Sequence, residues 1–147
     1  MKIFESIKLL HRVYKYSKSD KGEFAYLKKS IKKGDLVFDI GAHKAGYLHQ
    51  MLAQTGKGGR VIGFEPQQIL FTYLTKIKNL FHWGNVVIEH IALSNVSGQS
   101  NLYLPAQLNG KLSSPSATIV EHENDINFQT TEKVIITTLD EYCEKHQ

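Results

Sequence analysis

The chain has 147 residues, a net charge of +4 and 41% hydrophobic residues. That length suits one domain with a real core, and the composition is that of a globular protein, which excludes disordered, collagen-like and disulfide-rich classes. No run approaches the roughly 20 apolar residues of a membrane-spanning helix, and a single cysteine, Cys143, excludes an internal disulfide and points to a reducing, cytoplasmic setting.

The charge is uneven. Residues 1–36 hold ten Lys/Arg against four Asp/Glu, and residues 37–147 hold eight against ten. Within the basic part, Ile3, Ile7, Leu10 and Val13 or Tyr14 recur at helical spacing, which predicts an amphipathic helix over 2–16. Its frequent charges are unlike a secretory signal. Such a helix can lie on an anionic membrane, but packing on its own domain is the simpler expectation. "SKSDKG" breaks it. A second helix is expected over 22–33, with Phe24, Leu27 and Ile31 inward and Gly34 as its C-terminal cap. Residues 1–34 thus read as a region of basic helices.

From residue 35 the period changes. Leu36–Ile40 is apolar apart from Asp39, as expected of a parallel strand buried on both faces. A helix follows over 45–55, with Leu48, Met51 and Leu52 on one side. After the glycine-rich "TGKGGR" comes a strand, Arg60–Glu65. Pro66 then opens a helix to about Asn79, with Ile69, Leu70, Tyr73, Leu74 and Ile77 inward. "VVIEHIAL" reads as a third strand. This strand–helix alternation implies a parallel sheet with right-handed crossovers, an α/β fold of Rossmann-like type. After Leu93 the helices stop. "SNLYLP", "SATIV" and "KVIITTL" are strand candidates for antiparallel hairpins, and 121–132 reads as a polar loop. Thr138 and Glu141 fit a capping box before a short final helix.

Ligands of open α/β sheets bind at the carboxyl ends of the strands. Asp39 ends the first strand there, and Gly41 and Gly46 bracket the turn "DIGAHKAG". Gly41 lets backbone approach a ligand closely. Glu65 ends the second strand, 24 positions after Gly41, where an acid can accept both hydroxyls of a ribose. The "HIALS" segment at the end of the third strand can flank an adenine. The turn lacks the middle glycine of G-x-G-x-x-G, and its carboxylate would repel a pyrophosphate but accept an ammonium group. An NAD-type dehydrogenase is therefore the weaker alternative, and no P-loop is present. S-adenosylmethionine has a ribose, an adenine and an ammonium, and no phosphate. The bland alternative is that the glycines serve only packing and Glu65 only the positive end of a helix. The seven histidines show no ligand-like spacing, so no metal is expected. Basic and aromatic residues are not interleaved on one surface as nucleic acid requires.

"IKKGDLVFDIGAHKAGY", "GRVIGFEPQ", "NVVIEHIALSNVSGQSNLYLP" and "TTLDEY" together resemble, in order, successive blocks of the FkbM-family methyltransferases, a branch of the class I S-adenosylmethionine-dependent enzymes. The resemblance covers about residues 23–142. It implies that Asp39, Gly41 and Gly46 line the methionyl side of the cofactor, that Ala42 and His43 belong to the same cofactor-binding turn, which His43 shapes, that Glu65 holds the ribose and that the neighbourhood of Ala92 meets the adenine. It implies methyl transfer to a hydroxyl of a small molecule or sugar, and a partial methyltransferase-like Rossmann domain over 35–147. The chain ends before the family's "D-x-x-K-I-D-V-E-G-x-E"-like block, so the later strands of the seven-stranded fold are expected to be missing. A non-catalytic remnant is accordingly the competing reading. Either way, strand one would form an exposed edge, and self-association through it is expected.

Overall fold

The computed structural model describes residue 11 and residues 21–105, 117–119 and 128–146. The helix expected over 2–16 lies outside the described residues, apart from His11, which is helical. The chain divides into two compact units, Met1–Glu89 and His90–Gln147.

The first unit runs α1 (Lys21–Ser30), β1 (Leu36–Ile40), α2 (Gly46–Thr55), β2 (Arg60–Phe64), α3 (Gln68–Leu80) and β3 (Val86–Glu89). Its strands form a parallel sheet in the order β1-β2-β3, with Val37 beside Val61 and Val61 beside Val86. Both crossover helices contribute to one core. Leu48 from α2 and Leu74 and Ile77 from α3 pack with Val61 and Val86 of the sheet. Residues 70, 74 and 77 share a face at about 100° per residue. Ile69 falls outside that stripe and is 74% exposed, contrary to its expected burial. Phe24 is buried and meets Tyr47 ring to ring at 5.1 Å, which fastens α1 to α2. The α1 helix ends at Ser30, earlier than expected, and Gly34 takes φ 92° in the turn beyond it.

β1 corrects the sequence reading. Its continuous apolar run suggested burial on both faces, yet Leu36 and Ile40 are 56% and 62% exposed. Among the described strands it lies at the sheet margin, as the expected exposed edge, and β2, flanked on both sides, is the buried strand.

"VVIEHIAL" is not one strand. It divides into β3 and a two-residue β4 (Ala92–Leu93) that belongs to another sheet. In the second unit β4, β6 (Phe128–Thr137) and β5 (Gly98–Pro105) lie in the order β4-β6-β5, β4–β6 parallel and β5–β6 antiparallel. Ala92, Leu102, Val134 and Ile136 form its core. β6 begins at Phe128, inside the stretch expected to be a loop. Its pairing with β5 from Ser100–Val134 to Leu104–Thr130 supplies the ladder that polar side chains did not announce. Of "SATIV", residues 117–119 are described, and Thr118 bridges to Tyr103. The final helix, α4 (Leu139–Lys145), is capped as expected, with Thr138 Oγ1 accepting from the Glu141 N–H at 3.1 Å.

Candidate cofactor site

The carboxyl ends of β1 and β2 lie side by side, with Asp39 opposite Gly63 and Ile40 opposite Phe64. Beyond Ile40 the chain leaves the sheet at once. The N–H groups of Gly41 and Ala42 both donate to the Phe64 carbonyl at 3.0 Å, which pins the turn to β2. Gly41, His43 and Ala45 then take φ of 80°, 47° and 66°. Left-handed backbone at alternate residues coils the loop tightly before α2 begins. A Cβ at Gly41 would meet no atom within 4 Å, so open space adjoins the backbone there. Gly46, expected to bracket the turn with Gly41, stands at its far end as the buried first residue of α2, without positive φ.

Two buried carboxylates flank this turn. Glu65 is 2% exposed. Its Oε2 accepts the His43 N–H at 2.8 Å, and its Oε1 accepts the Gln67 N–H at 2.9 Å. Pro66 has no N–H, so Gln67 offers the first donor beyond Glu65. Glu65 is thus oriented by the very turn that Gly41 opens.

Asp39 is 6% exposed. It accepts a backbone hydrogen bond from Leu48, in the first turn of α2. Ala45, the N-cap residue, makes no side-chain cap, so Asp39 does this from the neighbouring strand. Its Oδ2 is buried with no hydrogen-bond partner among the described residues. Burial raises its pKa to about 6, the Leu48 hydrogen bond opposes that rise, and the charge of Glu65 adds to it. Burial, and then the charge of Lys44, lower the pKa of His43, which favours the neutral imidazole.

These features fit S-adenosylmethionine on three counts. A buried carboxylate oxygen lacks a donor where a cation can supply one, a fixed carboxylate stands where a diol can bind, and the glycine between them faces open space. Two carboxylates suit a phosphate badly. Asp39, Gly41, His43 and Glu65 are therefore brought together as expected. Ala42 is adjacent, but its methyl lies in the core beside the Gly63 backbone. Ala92 belongs to the second unit, buried in its core on β4. Sequence reasoning missed Phe64, Leu48 and Gln67. All three act through backbone atoms, and side-chain identity carries no signal for that.

The family model described as the methyltransferase FkbM domain matches residues 39–147. No curated protein matches the chain. Among solved structures, an rRNA-methylase candidate from Clostridium thermocellum is 24% identical with a TM-score of 0.45, over 48% of this chain and 40% of that one. A SAM-dependent O-methyltransferase from Thermotoga maritima is 12% identical with a TM-score of 0.41, over 61% of this chain and 46% of that one. The chain thus spans less than half the length of either solved protein. With roughly three-quarters of its residues matched by the family model, the chain belongs to the FkbM methyltransferases, and its cofactor is S-adenosylmethionine.

Proposed function

We propose that this chain is the cofactor-binding portion of a methyltransferase that moves the methyl of S-adenosylmethionine to a hydroxyl oxygen of a small molecule or sugar. The observation that carries the reading is the pair of buried carboxylates, Asp39 and Glu65, on either side of the Gly41 turn. When bound, the cofactor supplies an electrophilic methyl on a sulfonium. Glu65, held by the N–H groups of His43 and Gln67, would take the ribose hydroxyls. Asp39 Oδ2 would accept a hydrogen bond from the methionyl ammonium. The open side of Gly41 would admit the cofactor chain. These residues bind and orient, and positioning of this kind lowers a barrier without any acid–base group.

Calorimetric titration tests this. The wild-type chain is expected to bind S-adenosylhomocysteine but not NAD, and Glu65→Ala is expected to weaken that binding at least tenfold, the loss of a hydrogen-bonded charged acceptor being worth about 1.5–3 kcal/mol. Tighter binding of NAD than of S-adenosylhomocysteine would overturn the reading.

A further inference from the structure

The crossover helix α2 starts without a cap of its own. Ala45 makes no side-chain cap, and the Ala45 carbonyl accepts the first bond of the helix from the His49 N–H at 3.1 Å. The N–H groups of the first turn therefore need partners outside the helix. Leu48 finds one in Asp39. The aim of Asp39 Oδ2 thus depends on where the first turn of α2 sits, and a displacement of about 1 Å is enough to break such a bond.

The segment before β1 lies along α2 from its first turn to its last. At the far end the contacts are hydrogen bonds. Lys33 Nζ donates to the Ala53 carbonyl at 2.9 Å, and the Gly34 N–H donates to the Thr55 carbonyl at 3.0 Å. At the near end the contact is aromatic. The Phe24 ring of α1 lies 5.1 Å from the Tyr47 ring, with the planes tilted by 52°. Tilted ring pairs at this spacing attract beyond the area they bury. Tyr47 directly precedes Leu48, and among the described residues of α1 Phe24 alone is buried. The family model begins at residue 39, so family membership by itself assigns no role to α1.

We propose that Phe24 is a positioning residue of the cofactor site: from α1 it holds Tyr47 and the first turn of α2, so that the Leu48 N–H keeps Asp39 aimed at the ammonium of the cofactor. The inference rests on the reading of Asp39 given above. Phe24 acts through Tyr47 and Leu48, not by contact with the cofactor. Releasing the Leu48 bond has a recognisable signature. That bond favours ionised Asp39 against burial and against the charge of Glu65 on the β2 side. Without it, Asp39 takes up its proton at a higher pH. His43 and Lys44 in the turn and His49 on α2 also titrate, and burial lowers the pKa of both histidines, which favours their neutral rings.

Two measurements on the full chain test this. The first is amide hydrogen exchange without ligand. In Phe24→Ala the Leu48 amide is expected to exchange about tenfold faster. The Gly56 amide, bonded to the Leu52 carbonyl at the far end of α2, is expected to keep its protection. The second is calorimetric titration with S-adenosylhomocysteine between pH 5.5 and 8.5. Phe24→Ala is expected to move the midpoint of the affinity profile upward by about one pH unit, giving about fivefold weaker binding at pH 6 and unchanged binding at pH 8.5. Phe24→Leu, which refills the apolar space, is expected to restore most of both. Tyr47→Ala, which removes the contact from the other side, is expected to repeat both effects and carries the test if Phe24→Ala fails to fold. A merely structural role would speed Leu48 and Gly56 exchange together and weaken binding alike at every pH. Either result overturns the proposal, as does a Phe24→Ala chain that matches wild type in both measurements. A wild-type chain that binds no S-adenosylhomocysteine overturns the function proposed above, and the Leu48 and Gly56 amides then decide the link from Phe24 to Asp39 by themselves.

Discussion

Asp39 shows how one residue carries conflicting demands. Its carboxylate caps α2, which favours the charged form, yet burial and Glu65 favour the neutral one and prevail. Because its folded-state pKa is raised from 3.8 to about 6, its contribution to stability is fully present below pH 3.8 and is lost as pH rises through 6. The shift corresponds to roughly 3 kcal/mol at about 1.36 kcal/mol per unit. Asp39→Asn keeps an acceptor for Leu48 without the buried charge. We therefore expect it to be more stable than wild type at pH 7 by up to about 3 kcal/mol, with the difference vanishing near pH 4, as urea denaturation at both pH values will show. Affinity should move the other way. S-adenosylhomocysteine binding by wild type is expected to weaken about tenfold between pH 7.5 and 5, because only ionised Asp39 pairs with the ammonium, and Asp39→Asn should flatten that profile.

His43 makes a different residue-scale argument. At φ 47° it lies in the left-handed region, and in that conformation its N–H donates to Glu65 at 2.8 Å. The side chain matters less than the backbone it permits. His43→Gly should therefore retain S-adenosylhomocysteine binding and stability. His43→Val, whose branched Cβ resists the region, should cost about 1–2 kcal/mol and weaken binding with it. Equal affinity for the Gly and Val variants would show that the turn does not position Glu65.

Among the described elements, the joint between α2 and β2 is closely held. Asn85 Nδ2 donates to the carbonyls of both Gly56 and Gly59 at 2.9 Å, and Gly34 N–H donates to Thr55. A Cβ on Gly59 would stand 2.6 Å from both the Asp35 carbonyl oxygen and Thr55 Cβ. On Gly63 the nearest atom would be Leu48 Cδ1 at 2.9 Å, the end of a flexible side chain. Side chains can yield where backbone cannot. Gly59→Ala is thus expected to lower the thermal midpoint more than Gly63→Ala, with both costing about 1–3 kcal/mol. Elements with strong local signals were legible in the sequence. β1 and the Thr138 cap lie where its apolar run and capping box placed them. β4 and the start of β6 were not legible. Two residues beside Ile136 and Thr137, and a polar strand held by pairing, carry no periodic signal of their own.

At the scale of the molecule, the change from helical alternation to hairpin-like strands was visible after Leu93, and the two units divide nearby at Glu89 and His90. The acid–glycine turn and the Glu-Pro that follows β2 were equally plain, because a positive φ favours glycine and a diol-binding site favours a carboxylate, and both preferences fall on residue type. The sequence by itself therefore determined the α/β class, the parallel order of the first unit and the carboxylates of the candidate site. Tertiary structure decided the rest. It made β2 the buried strand and left Leu36 and Ile40 of β1 exposed, because neighbours, not composition, set burial. It sent Ala92 into the core of the second unit and left-handed geometry to His43 and Ala45. It also turned the buried Asp39 into a helix cap with an unsatisfied oxygen, because hydrogen bonds between distant backbone atoms leave no trace in the order of side chains.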